Sequence, residues 1–242
     1  WEEIARYSRD KGDVFVPLAF ESDDQTLQIA TNKGRDTMAV FRYDPNAKKL
    51  GEMIASHPRF DMGADSQGQS VAGALVDPET DKIVGYAVNG DKPETVWIDE
   101  GRAKIQATLD ATLKDRVNSF RRTPDGKKLL VTSRSDTAYP RWYFFDTEKR
   151  TLEEIGASKP WLDGKLTEQR PIRYKTRDGM EITGYLFLPK NHKAGTKLPT
   201  VVHIHGGPAA RADYYGGGFG YIEGQLMAAR GYAVVVPNFR IT

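Results

Sequence analysis

Residues 197–240, KLPTVVHIHGGPAARADYYGGGFGYIEGQLMAARGYAVVVPNFR, carry the pattern on which the fold turns. Leu198–Val202 is a short apolar run ending in β-branched residues, the composition of a strand covered on both faces. His203-Ile204-His205 then leads into Gly206-Gly207-Pro208. Farther on, Ile222, Leu226 and Ala229 recur at helical spacing and predict a helix, with Gly231 as its natural stop. Tyr232–Phe239 reads as a second buried strand. Strand, loop, helix and strand in that order call for a crossover connection and a parallel pair. Immediately upstream, residues 171–189 alternate around Asp178-Gly179 and predict a β-hairpin.

Two chemistries fit the turn at 203–208. Residues i and i+2 of a strand point to one side, so His203 and His205 offer two imidazoles to one metal ion. A catalytic zinc site usually takes a third protein ligand. The remaining histidines, His57 and His192, sit in loops with no ligand spacing to the pair, and Asp213 follows only after a flexible turn. The other chemistry is oxyanion stabilisation. Gly206-Gly207 lets the backbone turn sharply off a strand end and bring N–H groups near a substrate. Ligands of open α/β sheets bind at such carboxyl ends of strands. An alkoxide formed in acyl transfer must be met there by preorganised donors. A strand ending in His-Gly-Gly is one way serine hydrolases supply them. This second reading accounts for more of the residues.

Residues 1 to about 156 follow a different pattern of short strands and turns. FESDDQTLQIATNKGRDTMAVFRYDPNAKKL begins at Phe20, and FRRTPDGKKLLVTSRSDTAYPRWYFFDTEKRTL begins at Phe120. Each runs from an aromatic through an acidic turn, a strand, a polar loop and an aromatic strand to an aspartate, Asp44 or Asp146. A weaker unit, residues 70–90, lies between them. The resulting period of about 50 residues is at the long end for β-propeller blades; a plain β-meander or sandwich is the competing architecture. About three units are too few to close a ring of about four to eight blades. The expectation is therefore that the chain belongs to a longer protein and is cut within its second domain. Trp142, Tyr143, Phe144 and Phe145 are expected in the core of a blade or between blades.

Composition sets wider limits. The chain of 242 residues is 39% hydrophobic and 28% charged, ordinary for a soluble globular protein. Thirty-five Lys and Arg against 33 Asp and Glu give a formal charge of +2. That balance gives no argument for nucleic acid or a charged membrane surface as partner. With no cysteine there is neither a disulfide framework nor a thiolate site. No run is long enough to span a bilayer as a helix. The compartment, cytoplasmic or periplasmic and exported, is not fixed by these features.

RDGMEITGYLFLP, KLPTVVHIHGGPAAR and LMAARGYAVVVPNFR, in this order and spacing, resemble the start of the catalytic domain in the prolyl oligopeptidase family of serine peptidases. The likeness is greatest to its acylaminoacyl-peptidase and dipeptidyl-peptidase-like branch. The resemblance covers about 80 residues closely and the upstream strands in architecture alone. It implies β-propeller blades over residues 1–159, followed over 160–242 by the start of an α/β-hydrolase domain. It implies a short peptide as substrate, admitted to a cavity walled partly by the propeller, no cofactor and no metal; homo-oligomer formation stays open. His205, Gly206 and Gly207, with Pro208, match the family's first oxyanion segment. Some members have Tyr at the position of His205 and use its hydroxyl, so side chain and backbone remain alternative donors here. The family's nucleophilic serine, in a Gly-x-Ser-x-Gly elbow, and its Asp and His partners lie beyond PNFR and outside this chain. A departure is Ile241, where the family usually continues Gly-Ser. Glu153-Glu154, Tyr214-Tyr215 and Arg211 are expected in a charged edge, in packing or a loop anchor, and in a surface ion pair. An esterase or lipase with the same turn, and a catalytically inactive propeller scaffold, are the competing functions.

Overall fold

The computed structural model describes residues 2–7, 12–63, 73–207 and 213–240. The chain divides into two compact units, Trp1–Thr108 and Leu109–Thr242. The first unit opens with an antiparallel meander of β1 (Phe15–Phe20), β2 (Leu27–Thr31), β3 (Ala39–Asp44) and β4 (Lys49–Ala55). All of β2 is buried, with Leu27, Ile29 and Tyr43 packed on one side and Ala30 and Met38 on the other. Such alternation is the signature of a strand packed on both faces. A three-stranded antiparallel sheet follows: β5 (Ala74–Val76), β6 (Ile83–Asn89) and β7 (Pro93–Trp97).

A helix, α1 (Glu100–Thr112), then interrupts what the sequence presents as continuous β-structure. Its start is set by Asp99, whose Oδ1 accepts the Arg102 N–H at 2.7 Å and whose carbonyl accepts the Ala103 N–H at 3.0 Å. Arg102 and Leu109, two turns apart on one face, are buried. Arg102 reaches its charge partner, Asp77, in the turn between β5 and β6.

The second unit holds another antiparallel meander, β8 (Val117–Arg122), β9 (Lys128–Arg134), β10 (Arg141–Asp146) and β11 (Thr151–Ala157). Phe20–Leu50 and Phe120–Leu152 thus lie in two separate four-stranded sheets, with the three-stranded sheet between them in sequence. Asp44 and Asp146 end equivalent strands, β3 and β10, and turn the chain in the same way. Asp44 Oδ1 accepts the N–H groups of Asn46 and Ala47 at 2.9 and 2.8 Å. Asp146 Oδ1 accepts those of Glu148 and Lys149 at 3.0 and 2.9 Å. Each turn closes on a left-handed residue, Lys48 or Arg150. The aromatic run of β10 is less enclosed than its composition suggests: Trp142, Tyr143 and Phe145 are half-buried and Phe144 is exposed.

The same unit holds a mixed sheet ordered β12 (Gln169–Lys175), β13 (Glu181–Phe187), β15 (Ala233–Asn238), β14 (Thr200–Val202). The expected hairpin is β12–β13, in register Tyr174 opposite Ile182. The expected parallel pair is β14–β15, with Val201 opposite Val234, and α2 (Phe219–Ala228) connects the two. The helix forms where its spacing predicted, but Ile222 and Leu226 are 58% and 53% exposed. The buried face is instead Tyr221, Gly224, Gln225 and Ala228. A Cβ on Gly224 would stand 2.7 Å from the Phe187 ring, so the helix is seated by a missing side chain. The 159/160 junction lies inside this unit, at the 3-10 turn Pro160–Leu162 between β11 and β12.

Candidate active-site turn

The chain leaves β14 at Val202 and is still held to the sheet at the next residue, where the His203 N–H donates to the Val235 carbonyl at 2.8 Å. Beyond that point the two histidines separate in their partners. His203 Nε2 lies 2.6 Å from Glu223 Oε2 on α2. His205 stacks on Phe239, just past the end of β15, with ring centroids 4.5 Å apart and planes at 25°. Among the described residues, no group of three or more His, Asp or Glu side chains is arranged to hold a metal ion.

His205 is 9% exposed. Its Nδ1 lies 2.7 Å from the Gly206 carbonyl oxygen. A carbonyl only accepts, so Nδ1 carries the hydrogen. In the neutral imidazole Nε2 is then an acceptor, and this buried atom has no protein partner among the described residues. The neutral ring therefore offers no N–H beyond the one given to Gly206. Gly207 has φ of 153°, a conformation open to glycine and strained for other residues. Among the described residues, a Cβ on Gly206 would meet nothing within 4 Å.

Pro208, Arg211 and Ile241 lie outside the described residues. The next described residue is Asp213. This carboxylate is 1% exposed and its Oδ1 accepts the Gly220 N–H at 2.8 Å, in the first turn of α2. Tyr215 is buried in the core with Tyr185, Phe187, Tyr221 and Val236. Burial, and then the hydrogen bond to Asp136, push its phenol well above the ordinary tyrosine value. Tyr215 is thus a packing residue and loop anchor. Glu154 accepts from Arg141 at 2.6 Å on the edge formed by β10 and β11.

Several residues at the turn's far end had no signal in the sequence. Gln169, at the head of β12, is 1% exposed. Its amide donates to the Tyr214 carbonyl at 3.1 Å and accepts the Gly216 N–H at 2.6 Å. Arg134 donates to the Tyr215 carbonyl at 2.8 Å. Asp136 Oδ1 accepts from the Tyr215 hydroxyl and Oδ2 from the Gln169 N–H, both at 2.7 Å. These partners are 33 to 81 residues apart in sequence, so only folding discloses them.

No family model matches the chain. Dipeptidyl aminopeptidase BIII of Pseudoxanthomonas mexicana is 32% identical over 231 residues, 93% of this chain and 32% of that protein. The chain is homologous to peptidases of the prolyl oligopeptidase family. A further relative of this chain, the uncharacterized peptidase YuxL of Bacillus subtilis (strain 168), is 29% identical over 128 residues, covering 52% of this chain and 19% of that protein. Among solved structures, a puromycin hydrolase complexed with PGG matches with a TM-score of 0.57 at 16% identity, over 93% of this chain and 33% of that one. A Mycobacterium tuberculosis puromycin-hydrolyzing peptidase matches with a TM-score of 0.53 at 16% identity, over 92% and 33%. The chain thus spans about a third of the length of that dipeptidyl aminopeptidase. No Gly-x-Ser-x-Gly occurs in its 242 residues.

Proposed function

We propose that this chain is a segment of a serine peptidase of the prolyl oligopeptidase type. In this reading residues 1–159 contribute β-propeller blades, and residues 160–242 begin an α/β-hydrolase domain, with His205-Gly206-Gly207 as its first oxyanion segment. A serine on a later strand adds to the peptide carbonyl, and a histidine paired with a carboxylate takes the serine proton. The carbonyl oxygen becomes an alkoxide and is met by backbone N–H groups at the Gly206-Gly207 turn. Collapse expels the amine, which receives the proton from the histidine, and water then releases the acyl group. The substrate is a short peptide; no cofactor or metal takes part.

The observation that carries this reading is the position of the turn. It leaves the carboxyl end of β14, the strand paired in parallel with β15, through a Gly207 whose φ of 153° suits a bare backbone. The sheet meanders over residues 15–55 and 117–157 favour a peptidase over an esterase or lipase lacking such a region. An inactive scaffold is the remaining alternative. A fluorophosphonate probe separates them: the full-length protein should be labelled on one serine and should hydrolyse short peptides unaffected by a chelator. Failure to label would leave the scaffold reading. Loss of activity on chelation, restored by zinc, would return His203 and His205 to a metal site.

A further inference from the structure

The described chain on both sides of the turn is anchored. Upstream it is fixed by the His203–Val235 backbone bond. Downstream, residues 214–216 are held by side chains from two other elements. Gln169 grips the loop at the Tyr214 carbonyl and the Gly216 N–H. Arg134 and Asp136, from the end of β9 and the loop after it, hold the Tyr215 carbonyl and hydroxyl. Asp136 also holds the main chain of Gln169, and its own carbonyl accepts from the Tyr221 hydroxyl at 2.9 Å and Gln225 Nε2 at 3.1 Å on α2. Gln225 in turn spans Thr167, accepting its N–H at 2.9 Å and donating to its carbonyl at 2.7 Å. A loop needed only for packing would be served by the burial of Tyr215. Here most of the polar groups of its backbone and hydroxyl are also bound, to half-buried or buried partners, which fixes position as well as burial.

We infer that Asp136, Gln169 and Arg134 are positioning residues for the oxyanion turn, so that the β9–β10 loop of the neighbouring meander sets where Gly206 and Gly207 stand. The inference rests on the peptidase reading for its catalytic consequence, while the mechanical coupling is independent of it. A displacement of about 1 Å in such a group costs up to about 100-fold in rate, so loosening the clamp acts on the transition state more than on substrate binding.

The test uses the full-length protein with Asp136→Asn, which places an amide NH₂ against one of the two donors, and Tyr215→Phe, which keeps the ring and removes one bond. Thermal melting confirms the fold, and Tyr215→Phe serves should Asp136→Asn not fold. On a short peptide, kcat should fall about 10-fold or more for Asp136→Asn and about 3-fold for Tyr215→Phe, with KM within about twofold. Affinity for a peptidyl trifluoromethyl ketone, whose adduct with the serine bears the anionic oxygen, should fall by the same factors. Backbone hydrogen exchange should quicken from residues 214–216 through Gly206 and Gly207. Folded variants with unchanged kcat and ketone affinity would overturn the inference. So would exchange quickened at 214–216 alone, whatever the activity. A wild type that neither cleaves peptides nor takes the ketone, yet shows exchange spreading into the turn, would count against the peptidase reading and uphold the coupling.

Discussion

In the proposed peptidase, one hydrogen bond bears on what His205 can do. With Nδ1–H given to the Gly206 carbonyl, the neutral ring has no second N–H to offer an oxyanion. The ring stacks on Phe239, and in this reading it supports the turn rather than the oxyanion. His205→Ala in the full-length enzyme should therefore reduce kcat less than about 10-fold, against about 10²–10³ for loss of a true oxyanion donor. The lost ring contact should lower stability by about 0.5–1.5 kcal/mol, seen as a lower Tm. A loss of kcat near the larger figure would restore the imidazole as donor.

At the scale of elements, α2 is seated by Gly224. A Cβ there would lie 2.7 Å from two ring carbons of Phe187, itself fully buried. Gly224→Ala gains helix propensity yet should destabilise by about 1–3 kcal/mol through overpacking; denaturant unfolding measures it, and a variant as stable as wild type would mean the helix shifts freely. This helix also marks where the sequence could be read and where it could not. Its existence, the hairpin and the parallel pair were legible from apolar periodicity and turn residues. Its buried face was not, because Gly224 and Gln225 face the core while Ile222 and Leu226 are exposed. Helix α1 escaped for a related reason: its buried face begins with Arg102, and its start lies in one capping aspartate, Asp99. Asp44 and Asp146 were legible because an Asx turn is local. The clamp of Asp136, Gln169 and Arg134 is wholly nonlocal and left no trace in spacing.

For the whole molecule, Tyr86, Tyr215 and Tyr221 are all pushed above the ordinary tyrosine value, in each case chiefly by burial. A phenol whose proton is held more tightly in the folded state contributes stability that is full below about pH 10 and lost as pH rises above it. Stability should fall steeply in alkali, with tyrosinate absorbance from these residues emerging together with unfolding. Absorbance that rises fully before unfolding would contradict this. The central claim, that the Gly206-Gly207 turn is an oxyanion segment of a serine peptidase, is tested most directly by kcat of full-length Gly207→Val on a peptide amide. The branched side chain burdens a backbone at φ of 153° and fills the approach to the substrate. The account predicts a fall of about 10²–10³ in kcat with the melting transition retained; a folded Gly207→Val protein with near-normal kcat would make the turn a structural corner and contradict it.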